Sequence, residues 1–380
     1  MLKKSLLYGL SLFAMFFGSG NLIYPIQVGI HAVQNWYWGY LGFLTTGVLL
    51  PYLGLYAMTL YQGSYHKFFG QVGKIAQTGI PLVTLSLLGS FGVMARCITV
   101  AYEGFRVINN RVPIGLFNLL FTALAFLFSI RGKIMFQIVG KWLTPTLLFF
   151  IVILLAWGMR ALPSESLAVV ATPQKSFQTG FIKGYNTMDL VASFFVTVLL
   201  FKEITLSSTT REKWSKEQYI MRAGLIGITL LALVYLGLTY LGASYSHAVG
   251  TLPPAQLLPV LARYIIGKRG GVLIAIIIIL SCLTTTVALG KIYTQYLVDL
   301  LPMIRNHTTL VLLTVNLVAY LFSCLGFSGI TKLLIPTLQI IYPALITLTI
   351  LSLLVKNKKW LKIVFFYCTL VSMFVVQIIA

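Results

Sequence analysis

The chain has 380 residues, of which 58% are hydrophobic and only 9% charged, where soluble domains average about 25% charged. That composition excludes a soluble enzyme, leaves no polar stretch long enough for a separate soluble domain, and predicts a chain that crosses a bilayer many times. The net charge of +21 does not indicate a nucleic-acid partner, because the lysines and arginines fall in short connections between apolar runs and not along one face.

The first apolar run, about residues 5–28, is long enough to span a bilayer. Lys3 and Lys4 before it and Gly18-Ser19-Gly20 within it imitate a cleavable leader. Apolar sequence resumes at once with Leu22-Ile23-Tyr24, so the run reads as a first span. Its middle, Phe16-Phe17-Gly18-Ser19-Gly20-Asn21-Leu22-Ile23-Tyr24-Pro25, is poorly suited to continuous helix. Broken backbone in lipid is tolerated only where it packs on protein or lines a cavity. Amides at a half-helix N-terminus suit a carboxylate, and carbonyls at a half-helix C-terminus suit a small cation. Glycine alone serves close helix packing. Packing has no use for an asparagine, so the cluster predicts a binding site.

Further runs of bilayer length cover about 38–61, 76–102, 113–130 and 135–158. A polar connection with Pro163 and Pro173 leads to a sixth run at 178–206, interrupted around Tyr185 to Asp189. A seventh covers 220–246, and residues 251–268, opened by Pro253-Pro254, read as an amphipathic or re-entrant segment. The last four runs cover 271–300, 308–326, 330–355 and 360–379. With the N-terminus in the cytoplasm, sixteen of the 28 basic residues fall inside, nine outside and three within runs, which favours that orientation.

The first and sixth runs lie five apart and both carry a polar break. Interrupted segments at matching positions of two halves mark the binding site of secondary transporters. Five spans per half would put the halves in opposite orientations. The expected architecture is a single all-α transmembrane domain over residues 1–380. Its first repeat is 1–158, its second 178–355, and 360–379 is an accessory span.

Few residues can carry chemistry. Of seven acidic residues, Asp189 lies nearest the membrane interior. An intramembrane carboxylate is a functional candidate, for a substrate ammonium, a cation or a proton; it can also cap the half-helix after the break. Thr284-Thr285-Thr286 places three hydroxyls deep in the eighth run, able to bond their own helix or to complete an oxygen shell for sodium. Arg96 and Glu103 share a helix face seven residues apart and suit either an outer gate or interfacial anchoring. Lys141 either snorkels or brings a titrating ammonium toward the cation, while Lys291 reads as snorkelling. Cys97, Cys282, Cys324 and Cys368 have no metal-ligand spacing, and the four histidines are scattered, so neither disulfide nor zinc is expected. The sequence contains no phosphate loop.

Leu12-Phe13-Ala14-Met15 followed by the broken segment through Pro25 resembles the first-span signature of bacterial branched-chain amino acid:cation symporters. Gly184-Tyr185-Asn186-Thr187-Met188-Asp189 resembles that family's sixth-span motif. Gly140-Lys141-Trp142-Leu143-Thr144-Pro145, Cys282-Leu283-Thr284-Thr285 and Tyr342-Pro343 also fit. The resemblance implies a LeuT-like five-plus-five inverted repeat in the bacterial cytoplasmic membrane. It implies import of leucine, isoleucine and valine with sodium, without catalysis, cofactor or obligate protein partner. By position, Gly18, Ser19, Gly20 and Asn21 would receive the substrate carboxylate, with Tyr185, Thr187 and Asp189 facing the substrate. Carbonyls at Ala14 and Phe17 would hold sodium with Thr285 and Thr284 or Thr286. Members of the family usually run to twelve spans where eleven are read here, commonly have a small glycine where Thr197 stands after the sixth break, and carry prolines beside the position of Arg96 that this sequence does not. Proton coupling through Lys141 or Asp189, or a sensor that binds without transport, are the alternatives.

Overall fold

A computed structural model describes residues 2–130, 144–160, 171–207, 215–355 and 358–379, all helix and connections with no strand. Each of the eleven predicted runs is helical where it is described, the fifth only from Thr144 onward. The first is two half-helices, α1 (Leu2–Phe16) and α2 (Ser19–Ala32). The second is α3 (Trp36–Leu44), a π-helical turn over Thr45–Leu49, and α4 (Leu50–Leu60). After the short α5 (Tyr65–Phe69) the third run is again broken, into α6 (Lys74–Leu88) and α7 (Val93–Arg106). There follow α8 (Ile114–Ile130) and α9 (Thr144–Arg160). The sixth run is α10 (Pro173–Tyr185) and α11 (Asp189–Ser207), and the seventh α12 (Lys216–Ser244). α13 (Leu257–Leu300) bends at Gly267, whose φ of 81° separates the amphipathic segment from the eighth span. α14 (Thr308–Ser323), α15 (Gly326–Leu354) and α16 (Lys359–Ile379) complete the described chain.

Among the described residues seven stretches are long and apolar enough to cross a membrane: Ser19–Leu60, Lys74–Arg106, Lys216–Ser244, Gly270–Leu300, Pro302–Ser323, Gly326–Leu354 and Lys359–Gln377. Shorter apolar helices cover Lys4–Phe16, Ile114–Ile130 and Thr144–Arg160.

Two packing relationships position the site. The two halves of the first span lie along α12, α10 packs on α3, and α11 packs on α4. The first, second, sixth and seventh spans therefore form one bundle. Against it stands a scaffold in which α7 runs along α13. Between the bundle helices the backbones nearly touch. A Cβ on Gly180 would overlap the Gly39 carbonyl, and one on Gly42 would overlap the Phe177 carbonyl. Only glycine permits that approach, the small-residue contact on which membrane helices rely in place of hydrophobic driving force.

The break in the third span was not expected. The sequence Gly89-Ser90-Phe91-Gly92 has the small-residue composition of Gly18-Ser19-Gly20, and the helix stops at Leu88 and restarts at Val93. The buried Ser90 hydroxyl donates to the Val315 carbonyl at 2.7 Å, tying the break to α14.

Candidate functional site

The two expected breaks face each other. In the first span, α1 ends at Phe16, Gly18 adopts an extended N-cap conformation, and α2 begins at Ser19. The first helical bond of α2 runs from the Leu22 amide to the Gly18 carbonyl at 3.2 Å. The amides of Ser19, Gly20 and Asn21 thus have no intrahelical acceptor. Ser19 lies against the Cys97 thiol of α7, so Gly20 and Asn21 present the freer donors. In the sixth span, Asn186, Thr187 and Met188 separate the halves, and Met188 has a φ of 66°. A β-unbranched residue held in the left-handed region is uncommon and marks a constrained backbone.

Across this gap Asn21 Nδ2 donates to Asp189 Oδ2 at 2.6 Å and also to Tyr235 Oη of α12. Asp189 is only 4% exposed and opens α11, where the positive end of the half-helix favours its charge. Thr187 Oγ1 donates to the Gly184 carbonyl at 2.8 Å and accepts from the Asp189 amide at 3.4 Å. Its hydroxyl shapes the break. Tyr185 is tied to α15, donating to the Leu338 carbonyl at 3.0 Å with its ring 4.2 Å from that of Tyr342. Tyr342 Oη accepts from the Leu190 amide at 3.3 Å, so α15 braces the start of α11.

The cation candidates divide. Ser281 Oγ donates to the Phe17 carbonyl, and Thr285 Oγ1 points to the Ala14 carbonyl at 3.5 Å. A small cavity of about 10 Å³ lies alongside, lined by Ala14, Thr144, Leu147, Leu280, Ser281 and Thr284. Two carbonyls and two hydroxyls meeting at a helix C-terminus are an oxygen set of the kind hard cations take. Thr284 and Thr286 instead bond their own helix, at the Ser281 and Cys282 carbonyls, both at 2.8 Å. The Thr286 hydroxyl is thereby engaged within α13, whereas that of Ser281 is bonded to the first-span break.

Arg96 and Glu103 do not meet. Glu103 pairs with Arg106 at 3.1 Å on a partly exposed surface. Arg96 is 1% exposed and reaches both breaks: Nη1 donates to Tyr24 Oη at 3.1 Å and to the Asn186 carbonyl at 3.4 Å. Farther out, Lys183 Nζ donates to Gln27 Oε1 at 2.8 Å, joining α10 to α2. Lys141 lies outside the described residues, as does the whole segment Gly140-Lys141-Trp142-Leu143. All four cysteines are free. Tyr24, Tyr235 and Ser281 were not singled out from the sequence. A lone tyrosine amid apolar residues, Val234-Tyr235-Leu236, gives little signal, whereas Ser281 adjoins the threonine run and was within reach.

The family described as Branched-chain amino acid transport protein matches residues 1–380. A branched-chain amino acid permease BrnQ of Corynebacterium glutamicum is 33% identical over 370 residues, covering 95% of this chain and 84% of that protein. A branched-chain amino acid permease BraB of Bacillus subtilis is 29% identical, covering 96% and 83%. Among solved structures, a nucleobase-cation-symport-1 family transporter in a closed conformation superposes with a TM-score of 0.65 at 14% identity, covering 91% of this chain and 77% of that one. A manganese transporter of Eremococcus coleocola superposes with a TM-score of 0.58 at 15% identity, covering 98% and 86%. These likenesses establish the fold: all-α, LeuT-like, a five-plus-five inverted repeat with discontinuous first and sixth spans.

Proposed function

The chain belongs to the branched-chain amino acid transport protein family, and we propose that it imports leucine, isoleucine and valine together with sodium by alternating access. It is a multi-pass membrane transporter and not an enzyme. The bacterial cytoplasmic membrane with the N-terminus inside, and repeats over 1–158 and 178–355 with 360–379 accessory, complete the reading.

One observation carries it: Asn21 of α2 bonded to Asp189 of α11, which brings the two helix breaks to a common point. There the unpaired amides of Gly20 and Asn21 would take the substrate carboxylate, and Asp189 the ammonium. Sodium would sit at the end of α1 between the Ala14 and Phe17 carbonyls and the Ser281 and Thr285 hydroxyls. Binding there orders the break three residues before the substrate amides begin at Gly20, which is how the ion couples to the substrate. Closure would draw α10 onto α2, where Lys183 and Gln27 already meet, and rocking of the bundle against α7 and α13 would open the inside. Inward movement of one charge is favoured by about 2.3 kcal/mol per 100 mV, roughly fiftyfold accumulation at that potential.

The test is uptake of labelled leucine into proteoliposomes under an inward sodium gradient, with potassium replacement at matched potential as the control. Sodium-dependent accumulation supports the reading. Accumulation that ignores sodium but follows a pH gradient favours proton coupling, for which the buried Asp189 carboxylate is the specific observation. Binding without accumulation favours a sensor.

A further inference from the structure

Among the described residues three charged side chains are buried: Arg96, Asp189 and Lys362. Lys362 donates to Tyr61 Oη at 3.1 Å, and Asp189 is held by Asn21. Arg96 is differently placed. Its partners are all neutral: Tyr24 Oη at 3.1 Å, the Asn186 carbonyl at 3.4 Å and Met188 Sδ at 3.5 Å. Its Nε–H has no partner, and among the described residues no carboxylate lies within ion-pair distance. A guanidinium offers five N–H donors and cannot shed its charge. Burying one against neutral acceptors, with a donor unmet, leaves most of its desolvation cost uncompensated.

The position of this unmet charge is informative. Arg96 follows the third-span break by one turn, its amide bonded to the Gly92 carbonyl at 2.9 Å. Its fork lies between Tyr24, one turn beyond the free amides of α2, and Asn186 and Met188 of the sixth-span break. Asp189 lies near enough to interact with it electrostatically, yet its Oδ2 is engaged by Asn21. A positive and a negative group thus flank the junction of the two breaks without neutralising each other. An α-amino acid zwitterion has the complementary charges.

We propose that Arg96 binds the α-carboxylate of the transported amino acid, completing with its planar fork the carboxylate site that the Gly20 and Asn21 amides begin. The inference rests on the transport reading above. It makes Arg96 a substrate ligand and not a gate residue alone. It also explains why the third span breaks at Gly89–Gly92, between α6 and α7: the break lets a long cationic side chain enter at the depth of the other two.

The experiment titrates thermal unfolding of the purified chain, in sodium, with L-leucine and with isoamylamine, which is leucine lacking its carboxylate. Wild type, Arg96→Gln and Arg96→Lys are compared. The wild type is expected to prefer leucine by about 1,000-fold or more, because a site built for a polar group rejects the analogue lacking it. Arg96→Gln is expected to weaken leucine by about 100-fold and isoamylamine by less than about threefold, so the preference contracts to about tenfold. Arg96→Lys keeps the charge without the fork and should fall between. A leucine-to-isoamylamine ratio that stays at the wild-type value in Arg96→Gln, whatever the absolute affinities, overturns the proposal and leaves Arg96 a positioning residue. Should Arg96→Gln not fold, the ratio in Arg96→Lys decides in the same way. If the wild type is stabilised by none of leucine, isoleucine or valine, the transport reading fails and this inference with it.

Discussion

Asn21 Nδ2 and Asp189 Oδ2, 168 positions apart in sequence, are 2.6 Å apart in the fold. One hydrogen bond thus joins the two broken spans inside the bundle, at the point where their breaks meet. Replacing Asn21 with alanine would leave a buried carboxylate oxygen without its donor, a loss of about 1.5–3 kcal/mol for a bond to a charged group. Uptake at limiting leucine is expected to fall about 10–100-fold in Asn21→Ala proteoliposomes. Tyr235→Phe is the milder companion. It removes the second partner of Asn21 but keeps the ring that stacks on Phe17 and meets Phe43 edge-on, so it should cost about tenfold or less. Equal losses in the two variants would argue against Asp189 as the dominant partner.

The contact of α3 with α10 predicts a stability effect separate from transport chemistry. A Cβ at Gly180 would overlap the Gly39 carbonyl, which is backbone and cannot rotate aside. Gly180→Ala must therefore push α10 off α3, at a cost of about 1–3 kcal/mol, the usual range for overpacking. A lowered Tm in detergent is expected. Gly79→Ala, where nothing lies within 4 Å, should leave Tm unchanged or slightly raised.

Glu103 gives a prediction of no effect. Its ion pair with Arg106 spans one helical turn at a partly exposed surface, and such pairs contribute about 0–1 kcal/mol. Glu103→Gln should leave uptake within about twofold of wild type. A loss comparable to that of Arg96→Gln would restore the two as one gate.

What the sequence made legible followed from the cost of unsatisfied backbone in lipid. Gly18-Ser19-Gly20-Asn21 and Tyr185-Asn186-Thr187-Met188-Asp189 were visible as breaks because polar residues interrupt apolar runs at mid-depth. Gly89-Ser90-Phe91-Gly92 passed unnoticed because Phe91 and its apolar flanks keep the run hydrophobic. The signal there is conformational, not polar. Side-chain direction was beyond sequence reading. Three consecutive threonines point about 100° apart around a helix, and only the packing of α13 against the end of α1 shows that Thr285 and not Thr286 reaches the Ala14 carbonyl. In the same way the seven-residue spacing of Arg96 and Glu103 gave a shared face but not a shared partner. Arg96 turns inward to the breaks while Glu103 stays near Arg106.

That selection makes the cation site testable at single-hydroxyl resolution. Thr285 Oγ1 faces the Ala14 carbonyl and Ser281 Oγ the Phe17 carbonyl, so each would supply one oxygen to an ion at the end of α1. Thr286 Oγ1 bonds the Cys282 carbonyl one turn back, a local bond that contributes little. Valine has the shape of threonine without the oxygen, so Thr285→Val and Thr286→Val differ chiefly in whether a ligand oxygen is lost. The sodium concentration for half-maximal leucine uptake is expected to rise about 10–100-fold in Thr285→Val and Ser281→Ala. In Thr286→Val it should change by about twofold or less. The measurement is uptake at fixed leucine over a sodium series at constant ionic strength, with Tm confirming that each variant is folded. A larger shift in Thr286→Val than in Thr285→Val would place the ion on the other face of α13. Sodium independence in the wild type would remove the site from this region and leave Asp189 as the group to examine for a proton.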